Sequence, residues 1–94
     1  MDKTKKIEVQ HYPKIGRHYK HYKGGIYKFL HMATHTETQE PLCIYQSVLY
    51  GSYHARPLSS WNESIKLSKE EMIKSGIRST PVSRFHEIDY DGQV

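Results

Sequence analysis

The sequence predicts a mainly β fold, a small SH3-like, partly open β-barrel with one short helix inserted near residues 69-75. Three observations predict it. Short runs rich in Tyr, Ile and Val recur between turn-forming residues, the spacing expected of a small barrel or sandwich. Ser68-Lys69-Glu70-Glu71 carries a helix-start signature, with Ser68 as N-cap and Glu71 reaching back to it. At 94 residues and 36% hydrophobic content, the chain holds one domain with a small core.

The elements follow in chain order. Residues 1–10 are charged and weakly patterned and read as a flexible basic arm, although Ile7 and Val9 would allow a short edge strand. The folded domain is expected over residues 15–88, opening at Ile15-Gly16. Lys23-Gly24-Gly25 is a turn, because paired glycines reach positive φ without steric cost. Ile26 to Ala33 and Leu42 to Tyr50 read as strands, since their β-branched and aromatic residues suit a pleated, half-buried surface. The polar tract from Thr34 to Pro41 joins them as a wide hairpin loop. Gly51-Ser52 makes the next turn, and Tyr53 to Leu58 the next strand. Trp61, Glu63 and Ile65 stand two apart, as in a fourth strand or an extended edge. After Ser68 the helix is expected to turn Met72 and Ile73 toward the core and to end at Gly76. Ser83 to Ile88 reads as a final strand with Phe85 opposite to Arg84 and His86, and residues 89–94 as a frayed tail.

Composition excludes several classes. Cys43 is the only cysteine, so an intramolecular disulfide and a thiolate zinc knuckle are ruled out. A small chain without staples points to a reducing compartment, and no apolar run approaches the ~18 residues of a membrane span. The expected localisation is cytoplasmic. The net charge of +4 is uneven: residues 1–28 hold 8 Lys+Arg against 2 acidic residues, and residues 29–94 hold 6 against 8. The basic excess therefore belongs to the N-terminal third, where it serves solubility or attracts phosphate.

Three constellations carry candidate chemistry. His35 stands beside Glu37 and Glu40 in the polar loop, where a His–carboxylate pair would anchor a ligand or move a proton. The plainer reading is loop architecture, with these polar side chains capping backbone groups. Arg56, held extended before Pro57, offers a planar fork suited to phosphate or carboxylate, unless Glu37 or Glu40 already occupies it. Arg84 is a weaker version of the same case. Tyr22, Tyr27, Tyr45, Tyr50, Tyr53 and Trp61 alternate along strands, so some line the core and others stand outside as stacking surfaces or dimer contacts. Seven histidines invite a metal, but none of their spacings lies on a convincing helix, and no metal or cofactor is expected.

Several short motifs recur in the order of a known family. Tyr19-Lys20-His21-Tyr22-Lys23-Gly24-Gly25-Ile26-Tyr27 resembles the opening motif of the domain of unknown function 1653 family of small bacterial and phage β-rich domains. His35-Thr36-Glu37-Thr38, Leu42-Cys43-Ile44-Tyr45, Leu49-Tyr50-Gly51, Arg56-Pro57-Leu58 and Arg84-Phe85 continue the likeness across roughly residues 17–88. The chain departs from it at Tyr53-His54-Ala55, where the family usually carries Trp, and in a longer segment from Lys66 to Thr80. The resemblance implies a compact β-rich domain and brings no established activity with it.

The expectation is a non-catalytic binding module for an anionic small ligand such as a nucleotide, compatible with a homodimer. His35, Glu37 and Arg56 would position the ligand, and Tyr27, Tyr45 and Tyr53 would supply an apolar wall. Three alternatives stand beside it: a nucleic-acid binder using the Lys-rich N-terminal region and exposed aromatics, a hydrolase acting through His35 and Glu37, and a structural or protein-interaction subunit.

Overall fold

The structure is a computed structural model and describes residues 11–92. The basic arm of residues 1–10 and the last two residues of the expected tail lie outside that range. Seven strands are present among the described residues: β1 (His18–His21), β2 (Ile26–Thr34), β3 (Pro41–Ser47), β4 (Tyr53–Pro57), β5 (Ser64–Ile65), β6 (Val82–Ser83) and β7 (Phe85–Ile88). Two short helices, α1 (Leu58–Trp61) and α2 (Lys69–Ser75), interrupt them. Among the described residues the fold is mainly β with no closed barrel. Among the described residues, no helix is long and apolar enough to cross a membrane.

The principal sheet is antiparallel with strand order β4-β3-β2-β1-β7, so β1 to β4 form a meander and β7 returns beside β1. Registers pairing Tyr19 with Tyr27, Phe29 with Tyr45, and Tyr45 with His54 place these side chains on one face. A bulge between Phe29 and His31 adds one residue to β2, which brings Met32 onto the same face opposite Cys43. Bulges also bend and twist the strand that carries them. The curl is visible across the sheet. Arg56 on edge strand β4 and Phe85 on edge strand β7 come within 5.7 Å, guanidinium carbon to ring centre. β5 and β6 form a separate two-stranded ribbon, and Arg84 breaks the expected Ser83–Ile88 strand into β6 and β7.

The core fills the curl. Phe29, Cys43, Tyr45, Tyr19 and Phe85 are buried there against Leu58 and Trp61 of α1. Trp61 stacks on Phe85 at 3.9 Å and 10°, and meets Tyr19, Phe29 and Tyr45 edge-on. The expected strand through Trp61 is therefore a helical turn up to that residue. Leu58 and Trp61 are three apart, and only a helical turn buries both on one side. Strand character resumes at Ser64–Ile65.

α2 matches its predicted boundaries. Ser68 and Glu71 form the complete capping box, and Gly76 ends the helix in the left-handed conformation at φ 78°. Its expected inward face differs. The helix has no buried residue, Met72 is half-buried, and Ile73 is 78% exposed. The anchors lie outside the helix: Leu67 is buried, and its backbone N–H donates to the Thr80 hydroxyl at 2.8 Å.

β1 is an unpredicted strand. Its residues are polar apart from Tyr19, and it is held by hydrogen-bonded partners on both sides, β2 and β7. Arg17, just before it, binds the carboxylates of Glu87 and Asp89, and Tyr90 packs on the His18 ring at 4.8 Å.

Candidate functional site

The hairpin loop from His35 to Glu40 is built by its own residues. The His35 N–H donates to the Glu40 carbonyl at 2.9 Å, and the Gln39 N–H to the His35 carbonyl at 2.8 Å. His35 Nδ1 accepts from the backbone N–H groups of Glu37 at 3.1 Å and Thr38 at 3.3 Å. The Thr38 hydroxyl donates to Glu40 Oε1 at 3.2 Å and accepts from the Glu40 N–H. His35 therefore spends Nδ1 on the backbone rather than on the Glu37 carboxylate, and the His–carboxylate pair expected of a general base is not assembled.

Arg56 stands elsewhere, on β4 opposite Cys43. Its half-buried guanidinium donates from Nε to the Tyr45 hydroxyl at 3.1 Å and from Nη1 to Ser60 Oγ at 3.0 Å. Among the described residues it has no ion pair, so Glu37 and Glu40 do not occupy it. Nη2 has no protein partner there either, yet it is not enclosed, since no buried side-chain nitrogen lacks a hydrogen bond. The result is an oriented cation whose outer edge faces solvent.

Aromatic rings surround it. Tyr45 is buried, meets Tyr27 edge-on at 5.3 Å, and stacks with His54 at 5.4 Å. Phe85 lies beneath the guanidinium, and His21 meets Phe85 edge-on at 5.0 Å. Burial, with smaller contributions from Arg56, Arg84 and Lys23, holds His21 below its ordinary pKa of 6.5. The ring is thus kept neutral near a cation, as a wall rather than a second charge. Arg84 is committed: its Nε donates to the Ser60 carbonyl at 2.9 Å, and its Nη2 pairs with Glu63 at 2.8 Å. Ser60 is gripped by both arginines, which fixes α1 and the Arg56 fork together.

Of the six predicted site residues, the structure brings Tyr27, Tyr45 and Arg56 into one cluster. His35 and Glu37 make their contacts inside the hairpin loop. Tyr53 pairs with Gln46 on the opposite face of the sheet and is 69% exposed. His21, His54, Ser60 and Phe85 complete the cluster and were missed. Ser60 stands four residues after Arg56, but that spacing has meaning only once α1 is recognised as a helical turn. Among the described residues, no three His, Cys, Asp or Glu side chains converge to hold a metal.

Comparison with known proteins places the architecture. A crystal structure of a DUF1653 protein from Bordetella bronchiseptica is similar to this chain at a TM-score of 0.66 and 24% identity, covering 88% of this chain and 96% of that one. At that identity the likeness shows the fold alone. No curated protein matches the chain. The family model described as "Protein of unknown function (DUF1653)" matches residues 17–87, the span that carries the sheet, α1, α2 and the Arg56 cluster, and the chain therefore belongs to the DUF1653 family.

Proposed function

We propose that the protein is a non-catalytic binding module for an anionic small ligand of the nucleotide class, with Arg56 as the anchoring cation. One observation carries this reading: a half-buried guanidinium, aimed by Tyr45 and Ser60, has no carboxylate partner among the described residues. Partial burial of a charge costs solvation, and two neutral hydroxyls offset that only in part. An oxyanion facing the outer edge of the fork would supply the charge-assisted hydrogen bonds that the hydroxyls do not. Tyr27 and His54, the accessible rings of the cluster, meet edge-on at 5.9 Å and offer an aromatic rim to a planar group carried by the same ligand. The unassembled His35–Glu37 pair favours binding over hydrolysis.

Isothermal titration with ADP, and with adenosine as the uncharged control, tests the reading. ADP is expected to bind and adenosine to bind at least tenfold more weakly. Arg56→Ala is expected to weaken ADP at the Arg56 site at least tenfold, because a hydrogen bond to a charged group contributes about 1.5–3 kcal/mol. Arg56→Lys keeps the charge but loses the fork, and should fall between the two. An ADP isotherm unchanged in both affinity and stoichiometry in a folded Arg56→Ala protein would sink the assignment.

A further inference from the structure

We infer that the cleft between β1 and α2 is a second binding site, separate from Arg56, and that it takes a nucleoside polyphosphate. The cleft has a volume of about 910 Å³, within the ~300–1,000 Å³ usual for small-molecule sites. Two segments bring lysines to it: Lys20 and Lys23 from β1 and the turn that continues it, and Lys74 from the last turn of α2. All three are exposed, and none has an ion pair among the described residues. Glu71 is the one carboxylate in the lining, and it is committed to its own helix, where Oε1 accepts the Ser68 N–H at 2.8 Å. Three cations against one carboxylate leave the cleft two charges positive.

The remaining walls fit the rest of such a ligand. Tyr22 is stacked on His21 at 4.8 Å and 27°, with Lys23 Nζ 5.8 Å from the Tyr22 ring centre. A planar base has an aromatic partner there, beside the charges that would hold its phosphates. Leu67, Ile77 and Val82 provide the apolar part of the lining. Lysines are point charges that accommodate phosphates without the fixed geometry of an arginine fork.

α2 gives the arrangement its meaning. A two-turn helix is marginal alone, and this one contributes no buried side chain to the core. It forms one wall of the cleft instead. A polyphosphate held between Lys74 on one side and Lys20 and Lys23 on the other ties the helix to the sheet. Surface lysines that were only solvated would not need to face one volume from two segments distant in sequence.

Hydrogen exchange with saturating ADP tests this on the intact chain, with titration on the variants. ADP is expected to slow amide exchange in residues 69–75 and at Tyr22 to Gly24 at least fivefold, and adenosine to leave both unchanged. The Lys23→Gln/Lys74→Gln double variant changes only exposed side chains; it should need at least tenfold more ADP to protect α2, while the Arg56 site still takes ADP. Arg56→Ala should keep that protection. Unchanged exchange in α2 at saturation would overturn the cleft, as would α2 protection at the wild-type ADP concentration in the double variant. Loss of α2 protection in Arg56→Ala alone would assign the ligand to the arginine and refute a separate site.

Discussion

Leu58 and Ile73 are both large aliphatic residues on short helices, and the fold assigns them opposite weights. Leu58 has no exposed surface and belongs to the same core cluster as Trp61 and Phe85, whereas Ile73 is 78% exposed. Truncating a fully buried leucine removes its transfer free energy and leaves a cavity, together about 2–5 kcal/mol. In a domain of this size each kcal/mol lowers Tm by roughly 4–8 °C, so Leu58→Ala should lower it by at least about 8 °C. Ile73→Ala removes almost no burial, and alanine is the better helix former, so its effect should stay within about 0.5 kcal/mol. Urea titration followed by the fluorescence of Trp61, the only tryptophan, reads both variants against wild type. A cost below about 1 kcal/mol for Leu58→Ala would refute the placement of α1 in the core. A cost above about 1.5 kcal/mol for Ile73→Ala would refute the outward placement of α2 and restore the inward face that the sequence pattern suggests.

Two further predictions follow from buried titrating groups. Burial lowers the pKa of His21, so the unfolded chain binds the proton more readily; the contribution is complete above about pH 7 and fades as pH falls through the unfolded value of 6.5. Urea midpoints should therefore drop between pH 7.5 and 5.5, and His21→Gln should flatten that slope; a slope identical to wild type would remove His21 as its source. Cys43 is fully buried and its thiol is pushed up to about 11, so at pH 8 it should resist iodoacetamide until urea unfolds the chain. Alkylation in native buffer at the rate of a free thiol would contradict its place in the core.

Local chemistry made much of the fold legible. The capping box at Ser68 and Glu71, the left-handed Gly76, and the β-branched and aromatic runs of β2, β3 and β4 each declare themselves within a few residues. What escaped depends on distant partners. β1 is polar and becomes a strand because β2 and β7 flank it. Leu58-Ser59-Ser60-Trp61 could alternate or coil, and the Phe85 ring beneath Trp61 decides for the helical turn. The outward turn of Ile73 is equally invisible, since a two-turn amphipathic pattern does not say whether a core lies within reach.

The candidate site divides in the same way. Arg56 was singled out by its own chemistry, and Tyr45 and Tyr27 by theirs; all three meet. His35 and Glu37 are close in sequence, but the loop turns the imidazole to its own backbone, a choice no spacing rule contains. The cluster is instead completed across the sheet by Phe85, which curling carries to within 5.7 Å of Arg56. That contact between opposite edges is the part of the site furthest from any local signal.

Titrating ADP into isotope-labelled protein while following the Arg56 Nε–H resonance tests the central claim most directly, because that group reports the fork itself. A saturable shift of Arg56, absent with adenosine and accompanied by shifts at Tyr45 and Ser60, is the predicted result. An Arg56 resonance that stays fixed up to millimolar ADP would contradict the account.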